Sequence, residues 1–243
     1  MKKLKKNFNK DRTSLIIPLY NEENRLDYCF RIIEKILKKK IFYEVIFVND
    51  GSTDQSKKKL IKFIKQNKIK LISYKINMGK GYAIKKGVLL SRSNWVLICD
   101  LDMSVLPSQY LTWKKKKFIK DINCAYIGSR VHKDSKIKSY FIRRKIGMAL
   151  NFILFNYFNL KISDTQCGFK VFHSSYVKKI FKKIRCYDYA FDVETMILLR
   201  KNNIKIIELP IVWTHRLGSK VNLITDSIKF FIDLISLKKR YLK

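Results

Sequence analysis

The first half of the chain alternates short, mostly apolar runs with lysine-rich segments. The apolar runs lie at residues 14–18, 44–48, 70–74, 95–99 and 124–127. The segments between them show helical spacing at residues 24–38, 54–66 and 82–90. Strands that alternate with helices predict βαβ units. We therefore expect an α/β fold, a Rossmann-like domain with a mainly parallel central sheet flanked by helices.

Polar loops follow the first four predicted strands. Their sequences are PLYNEE (18–23), NDGSTD (49–54), NMGKG (77–81) and DLD (100–102). Taken singly, Asn- and Gly-containing loops are ordinary turn chemistry. Ligands of open α/β sheets bind at the carboxyl ends of the strands, however, and all four loops fall there. We expect the four loops to converge on one rim.

Two aspartates stand where the fourth predicted strand ends. In WVLICDLDMSVLP, the apolar run leads directly into Asp100, and Asp102 follows two residues later. A carboxylate at such a position is costly unless it is paired, hydrated or bound to a metal. Mg²⁺ and Mn²⁺ take few protein carboxylates and complete their shells with water and substrate phosphates. The pair therefore predicts a Mg²⁺ or Mn²⁺ site, where the metal would neutralise a diphosphate leaving group.

The second half is less regular and contains two amphipathic segments. Residues 143–160 form an apolar, aromatic predicted helix behind a basic head. Residues 222–237 place Ile224, Ile228, Phe231, Ile232 and Ile235 on one face, before the ending KKRYLK. Both helices either pack on the core or lie at a membrane interface with their lysines on anionic headgroups. The expected organisation is a basic tail (1–12), one domain (13–220) and a C-terminal amphipathic helix (221–243).

The chain is strongly basic, with 53 Lys and Arg against 19 Asp and Glu and a net charge of +34. Such a charge attracts nucleic acid, nucleotide phosphates or a membrane surface, although AT-rich coding produces the same lysine excess. A non-catalytic basic protein that binds RNA or membranes is thus one interpretation. The Asp-x-Asp pair argues against it, because carboxylates on a binding edge repel phosphates unless a metal intervenes. No nucleic-acid partner is expected.

The cysteines and the apolar segments bear on location. Five cysteines are scattered without a C-x-x-C pair, which indicates reduced thiols. The basic N-terminus lacks the apolar core of a signal peptide, and no run reaches the roughly 20 apolar residues that span a bilayer. We expect a cytoplasmic protein, with peripheral contact to the cytoplasmic membrane face left open.

The order of the motifs resembles a known family. SLIIPLYNEE, VIFVNDGSTD, NMGKGYAIKKG and LICDLDMSVLP are similar to the GT-A domain of inverting family 2 glycosyltransferases. IGSR (127–130), DTQCGFKVF (164–172), YAFDVE (189–194) and PIVWTHRLGSK (210–220) resemble the dolichyl-phosphate β-glucosyltransferase branch and bacterial polyprenyl-phosphate sugar transferases. The resemblance runs from about residue 13 to about residue 240.

The resemblance implies roles for particular residues. Those expected to bind the nucleotide sugar are Pro18, Tyr20 and Glu22 around the base and ribose, Asp50 at the base, Lys80 near the nucleotide, Asp100 of the carboxylate pair, and Arg216 and Lys220 in the late segment over the diphosphate. The catalytic set, which includes a phosphate-binding arginine and the residues near sugar and acceptor, corresponds to Asp102, Arg130, Asp164, Gln166 and Asp192. Structural roles compete with these, such as a helix cap at Glu22, a turn cap at Asp164 and a solvated lysine at Lys220.

The implied reaction moves a sugar, expected to be glucose from UDP-glucose, onto a polyprenyl or dolichyl phosphate with inversion. A phosphate oxygen is already ionised, so this acceptor needs no strong general base. A glycan hydroxyl is the alternative acceptor, and it would need a base such as Asp192 or Glu194. The dolichyl relatives carry an N-terminal membrane anchor and bacterial ones often carry C-terminal transmembrane helices. This chain shows neither pattern, so membrane access would depend on the amphipathic helices.

Overall fold

The computed structural model describes residues 12–67, 69–138, 158, 160–216 and 225–241. In chain order the elements are β1 (Thr13–Leu19), α1 (Leu26–Lys38), β2 (Glu44–Asp50), α2 (Ser56–Lys65), β3 (Lys70–Tyr74), α3 (Lys80–Leu90), β4 (Trp95–Ile98), α4 (Gln109–Lys115), β5 (Cys124–Ser129), β6 (Lys136–Lys138), β7 (Lys170–His173), α5 (Ser174–Lys183), α6 (Phe191–Lys201), β8 (Lys205–Pro210), β9 (Val212–Thr214) and α7 (Thr225–Tyr241).

Seven strands form the central sheet in the order β3-β2-β1-β4-β7-β5-β8. The pairs β1–β2, β1–β4, β2–β3 and β5–β8 are parallel, whereas β7 runs antiparallel between β4 and β5. Strands β6 and β9 form a separate parallel pair. The mainly parallel sheet and all five predicted strands and three predicted helices are confirmed, with ends that differ by a few residues. The antiparallel β7 was not predicted.

Helices cover both faces of the sheet. Alternate side chains of β1 separate between two core clusters: Ile16 lies in one, and Leu15 and Ile17 lie in the other. The first cluster includes residues of α3, α5, α6 and α7, and the second includes residues of α1, α2 and α4. A strand that is buried on both faces must be apolar throughout. This requirement explains the near-continuous apolar runs in the sequence.

A glycine sets the height of α3 above the sheet. A Cβ atom at Gly87 would lie 2.5 Å from Cγ2 of Ile16 and 3.2 Å from Cγ2 of Val48. Neither is the end of a flexible side chain, since both belong to buried β-branched residues of β1 and β2. The absence of a side chain therefore lets α3 approach closely and fixes where its first residue, Lys80, lies.

Helix α7 packs on the core through one face. Phe230, Leu234 and Leu237 of this face are almost fully buried. The predicted C-terminal helix is confirmed, but the structure has it at Thr225–Tyr241. The side chains of Ile224 and Ile228, which were predicted to share a face with Phe231, Ile232 and Ile235, lie outside the described residues.

Glu194 fastens the end of α7 to the rest of the molecule. This side chain is 0% exposed. Its Oε1 accepts hydrogen bonds from Tyr241 Oη at 2.8 Å and Arg240 Nη1 at 3.2 Å. Its Oε2 accepts from the backbone N–H groups of Arg185 at 2.8 Å and Cys186 at 2.7 Å. Both carboxylate oxygens are thus engaged in structural contacts.

Two further expectations concern membrane-related segments. The predicted helix 143–160 lies outside the described residues except for Phe158 and Leu160, and both of these are buried in the first core cluster. Within the described ranges, none of the helices combines the length and apolar character needed to cross a bilayer.

All five cysteines are buried and free, as expected.

Candidate active site

The loops after β1 and β2 are fastened to each other. Asn21 Oδ1 accepts a hydrogen bond from the backbone N–H of Thr53 at 2.7 Å. The backbone N–H of Glu22 donates to Ser56 Oγ at 2.7 Å. These contacts join two segments more than 30 residues apart in sequence. The predicted convergence of the rim loops is confirmed here.

Asp50 connects β2 to the loop before α3. It is the last residue of β2 and is 2% exposed. One carboxylate oxygen accepts from the backbone N–H of Met78 at 2.8 Å, and the other accepts from that of Gly79 at 2.9 Å and from Asn77 Nδ2 at 3.0 Å. Burial raises the pKa of Asp50, and these backbone donors offset part of that rise. The carboxylate thereby fixes the loop that leads to Lys80.

Asp100 lies between a lysine and a glycine. Lys80 Nζ forms an ion pair with Asp100 Oδ1 at a distance of 2.7 Å. The angles of this contact are not those of a hydrogen bond, and Oδ1 accepts no hydrogen bond from the described residues. A Cβ atom at Gly168 would lie 2.0 Å from Asp100 Oδ2, so any larger residue would displace that carboxylate. Burial alone would raise the pKa of Asp100, but the charges of Lys80, Lys170 and Arg130 hold that pKa below its ordinary value. The Asp100 side chain as a whole is 35% exposed, so part of it faces solvent, while Oδ1 itself is buried.

Asp102 is held within its own turn. Its Oδ1 accepts from the backbone N–H of Ser104 at 2.9 Å, and its Oδ2 accepts from Ser104 Oγ at 2.8 Å. The intervening Met103 has φ +55°, in the left-handed region that non-glycine residues rarely adopt. Backbone strain of this kind persists only where surrounding contacts enforce it, and it clusters at functional sites.

Arg130 and Asp164 form a bidentate pair. Arg130 Nε and Nη2 each donate to a different oxygen of Asp164 at 2.7 Å, and the Arg130 backbone N–H adds a third bond at 2.9 Å. Asp164 is 0% exposed. Burial alone would raise its pKa, but Arg130 holds that pKa below the ordinary value. The backbone N–H of Gln166 also donates to Asp164 at 3.3 Å, while Gln166 Nε2 is buried without a hydrogen-bond partner in the described structure.

Asp192 is paired with a lysine that sequence reasoning missed. Lys170 Nζ lies 2.5 Å from Asp192 Oδ1, and the two residues are 2% and 4% exposed. Burial raises the pKa of Asp192 in spite of the nearby charges of Lys170 and Lys80. The available signal was a charged residue inside the apolar run GFKVF. A lysine at such a position must find a carboxylate partner.

Pro18 was predicted to end the first strand and to begin the loop after it, and the structure places it in the strand. Pro18 lies inside β1, is buried, and pairs with Val48 of β2. Proline has no backbone N–H, and it is tolerated here because β4 pairs with β1 only as far as Ile16. The rim therefore begins at Tyr20, which is 39% exposed.

Two other predicted nucleotide contacts are engaged within the protein. Glu22 accepts from Nε and Nη2 of Arg25, each at 2.5 Å, near the start of α1. Arg216 Nη2 donates to Tyr28 Oη at 2.5 Å, and its guanidinium carbon lies 4.5 Å from the centre of the Tyr28 ring. Lys220 lies outside the described residues.

The site residues fall into one central cluster and a flanking group. The cluster joins the rim ends of α3, β4, β5 and β7 with the start of α6, and its charged members are Lys80, Asp100, Arg130, Asp164, Lys170 and Asp192. Asp102 adjoins it and contributes to the electrostatic environment of Lys80. Glu194 lies apart, because α7 occupies its carboxylate.

The donor set matches a metal that arrives with a phosphate ligand. No group of three or more His, Cys, Asp or Glu side chains in the described part of the chain forms a cage for a metal ion. Asp100 and Asp102 offer two carboxylates, and Oδ1 of Asp100 lacks a hydrogen bond in that part of the chain. Mg²⁺ and related ions are commonly held by one or two carboxylates plus substrate phosphates. The residues present fit that pattern.

The strand order and the helices on both faces of the sheet define a fold of the GT-A type. The structure is similar to crystal structures of Mycobacterium tuberculosis glucosyl-3-phosphoglycerate synthase, with a TM-score of 0.69, 15% identity, and coverage of 97% of this chain and 84% of that one. A second crystal structure of that enzyme, in complex with Mn²⁺, UDP and glucosyl-3-phosphoglycerate, gives a TM-score of 0.68 at 16% identity over 93% and 79% of the two chains. At this identity the similarity establishes the fold alone.

The sequence establishes the family. The chain belongs to glycosyl transferase family 2, whose family model matches residues 14–181. It is 32% identical to a dolichyl-phosphate β-glucosyltransferase of Dictyostelium discoideum, over 94% of this chain and 74% of the relative. The relatives of the same name from Saccharomyces cerevisiae and Homo sapiens are each also 32% identical, over 94% of this chain and 75% of theirs. The protein is a glycosyltransferase.

The contact between Gly168 and Asp100 generates a test of the carboxylate pair. Gly168→Ala places a methyl group where the Asp100 carboxylate lies, so the carboxylate must move. We expect UDP to bind about tenfold more weakly in the presence of Mn²⁺, a loss of about 1.4 kcal/mol of binding free energy. The increase in melting temperature that Mn²⁺ and UDP produce together should therefore be smaller than in the parent.

The control is Ile36→Ala, which removes buried apolar contacts in the last turn of α1, at the end of that helix away from the rim. It should lower the melting temperature without ligand and leave the Mn²⁺-dependent shift with UDP intact. Parental metal-dependent stabilisation in Gly168→Ala would show that the position of Asp100 does not matter for the ligand.

Proposed function

We propose that the protein transfers glucose from UDP-glucose, with inversion, to the phosphate of dolichol or another polyprenol. The similarity to dolichyl-phosphate β-glucosyltransferases across 94% of the chain carries this proposal. The cluster at the rim supports it, because the reaction requires a nucleotide diphosphate to leave and a phosphate to attack.

The donor half of the reaction depends on the carboxylate pair and the adjacent cations. Asp100 and Asp102 would hold a divalent ion, Mg²⁺ or Mn²⁺, that stabilises the charge developing on the leaving diphosphate. Lys80 is 32% exposed beside Asp100, so its ammonium can face a phosphate oxygen while it remains paired. Asp50 holds the loop in front of Lys80 and thereby orients it.

The acceptor half is supported by the state of the remaining carboxylates. Asp192 is bound by Lys170, Asp164 by Arg130, and Glu194 by α7 and two backbone N–H groups. A hydroxyl acceptor needs a carboxylate that is able to take a proton, and a phosphate acceptor does not. The engaged carboxylates therefore favour a phosphate over the alternative, a glycan hydroxyl.

The reaction can be tested directly. The full chain, Mn²⁺, radiolabelled UDP-glucose and polyprenyl phosphate should give a β-linked lipid-phosphate glucose, recovered by solvent extraction. Asp102→Asn should reduce the rate by about 100-fold or more, the scale on which loss of a transition-state electrostatic contact acts. Asp27→Asn, which removes an exposed surface carboxylate paired with Lys59, should retain parental activity.

Three results would contradict the proposal. They are no lipid-linked sugar with any nucleotide sugar, an α-linked product, and transfer to a glycan hydroxyl in preference to the lipid phosphate. The last result would support the alternative acceptor while it leaves the donor site intact.

We further propose that the outer face of α7 contacts an anionic membrane surface on its cytoplasmic side. Phe231, Ile232 and Ile235 are 45%, 61% and 51% exposed, and the exposed Lys238 and Lys239 follow. At about 100° per residue, these five side chains occupy one face of the helix, separate from the buried one. Apolar residues beside lysines suit the boundary between acyl chains and anionic headgroups. The free, buried cysteines suit a reducing compartment.

This contact predicts the effect of two substitutions. Ile232→Ser/Ile235→Ser should weaken binding to phosphatidylserine vesicles, measured by co-sedimentation, by about 30-fold, because burial of each isoleucine contributes on the order of 1 kcal/mol. The matched control is Ile76→Ser/Ile122→Ser, which removes side chains that are 72% and 48% exposed elsewhere. Equal binding by the α7 variant and the control would contradict the proposal.

A further inference from the structure

Lys170 is a fully buried lysine in the middle of the sheet. It is the first residue of β7 and pairs with Ile98 of β4 on one side and Ile127 of β5 on the other. Asp100 follows Ile98 by two residues, and Arg130 follows Ile127 by three. The lysine thus lies between the two strands that deliver the metal-site carboxylate and the arginine to the rim.

Two contacts hold the ammonium group. Lys170 Nζ donates to the backbone carbonyl of Cys167 at 2.6 Å and to Asp192 Oδ1 at 2.5 Å. An ammonium at 2% exposure has lost nearly all its water, so each contact replaces hydration. The side chain is too deeply buried to contact a substrate, and its function must act through other residues.

The Cys167 carbonyl leads directly to the carboxylate pair. Gly168 is the next residue, and its backbone lies so close to Asp100 that a Cβ there would be 2.0 Å from Oδ2. By holding the Cys167 carbonyl, Lys170 holds this backbone in place. The path runs from Asp192 on α6, through Lys170, to the turn that confines Asp100.

We propose that Lys170 is a positioning residue for the donor site, and that with Asp192 as its anchor it holds the Cys167–Gly168 turn against Asp100. This inference rests on the proposed function, because it takes the donor to be a nucleotide diphosphate with a divalent metal. Residues that orient metal ligands without binding the metal themselves typically affect metal affinity by about 10- to 100-fold.

The test separates positioning from stability and from charge. Lys170→Met leaves Asp192 buried without its partner, so that single variant should be strongly destabilised. Lys170→Met/Asp192→Asn removes one positive and one negative charge together, so the net charge near the metal is unchanged. The measured quantities are the melting temperature without ligand and the Mn²⁺ concentration that gives half of the full stabilisation by UDP.

We expect the double variant to melt above Lys170→Met yet to need about 10- to 100-fold more Mn²⁺ than the parent. Lys170→Gln/Asp192→Asn keeps an N–H donor for the Cys167 carbonyl and should recover part of that loss. It also serves as the test if the methionine variant does not fold. The control Lys178→Met removes a comparable bond, from Nζ to the Ser91 carbonyl at 2.6 Å, and should bind Mn²⁺ and UDP as the parent does.

Parental Mn²⁺ dependence in the double variant, whose melting temperature is recovered, would overturn the inference and leave the proposed function standing. Equal losses in the methionine and glutamine double variants would also overturn it, since the carbonyl contact would then be irrelevant. A parent chain that binds no UDP at any Mn²⁺ concentration would remove the proposed donor site itself, and the inference with it.

Discussion

The negative charge of Asp100 has to be accommodated where the apolar strand β4 ends, and the arrangement of the rim follows from this need. Lys80 meets the charge at 2.7 Å from the first turn of α3. Helix α3 can place that lysine because Gly87 allows close packing and Asp50 holds the preceding loop. On the opposite side, the antiparallel strand β7 brings Gly168 against the carboxylate. If this strand ran parallel to β4, its amino end, and Gly168 with it, would lie at the opposite edge of the sheet.

The other carboxylates of the site are buried and paired with cations, whereas Asp100 and Asp102 are partly exposed, and this distinguishes the pair. Asp164 is enclosed by Arg130, and Asp192 by Lys170. Breaking such buried pairs is costly, on the order of several kcal/mol, so they remain fixed while a substrate binds. The carboxylate pair at the rim is therefore the part of the cluster that is suited to a divalent ion. The surrounding cations suit the phosphates of the proposed donor and of the proposed acceptor. The same division explains why a phosphate acceptor fits the proposed chemistry better than a hydroxyl does.

The sequence allowed the frame of the fold and the location of the site to be predicted, because both depend on local pattern. Apolar runs mark strands, and the polar loops after them must meet when the strands are parallel. Partners could not be predicted in the same way. The pairing of Lys170 with Asp192 and of Glu194 with Tyr241 joins residues 22 and 47 positions apart, and each depends on how the helices pack. The end of the first strand could not be placed beyond Pro18, because the tolerance of proline in β1 depends on where a neighbouring strand, β4, stops pairing.

Asp100 and Asp102 are proposed to form the site for the metal and the nucleotide diphosphate. A crystal structure of the full chain with UDP and Mn²⁺, with data collected at the manganese absorption edge, tests this proposal most directly. We expect one anomalous peak at about 2.0–2.3 Å from a carboxylate oxygen of this pair and next to the diphosphate, with Lys80 beside a phosphate oxygen. A nucleotide bound elsewhere, or bound at the rim with no manganese on either aspartate, would contradict the proposal.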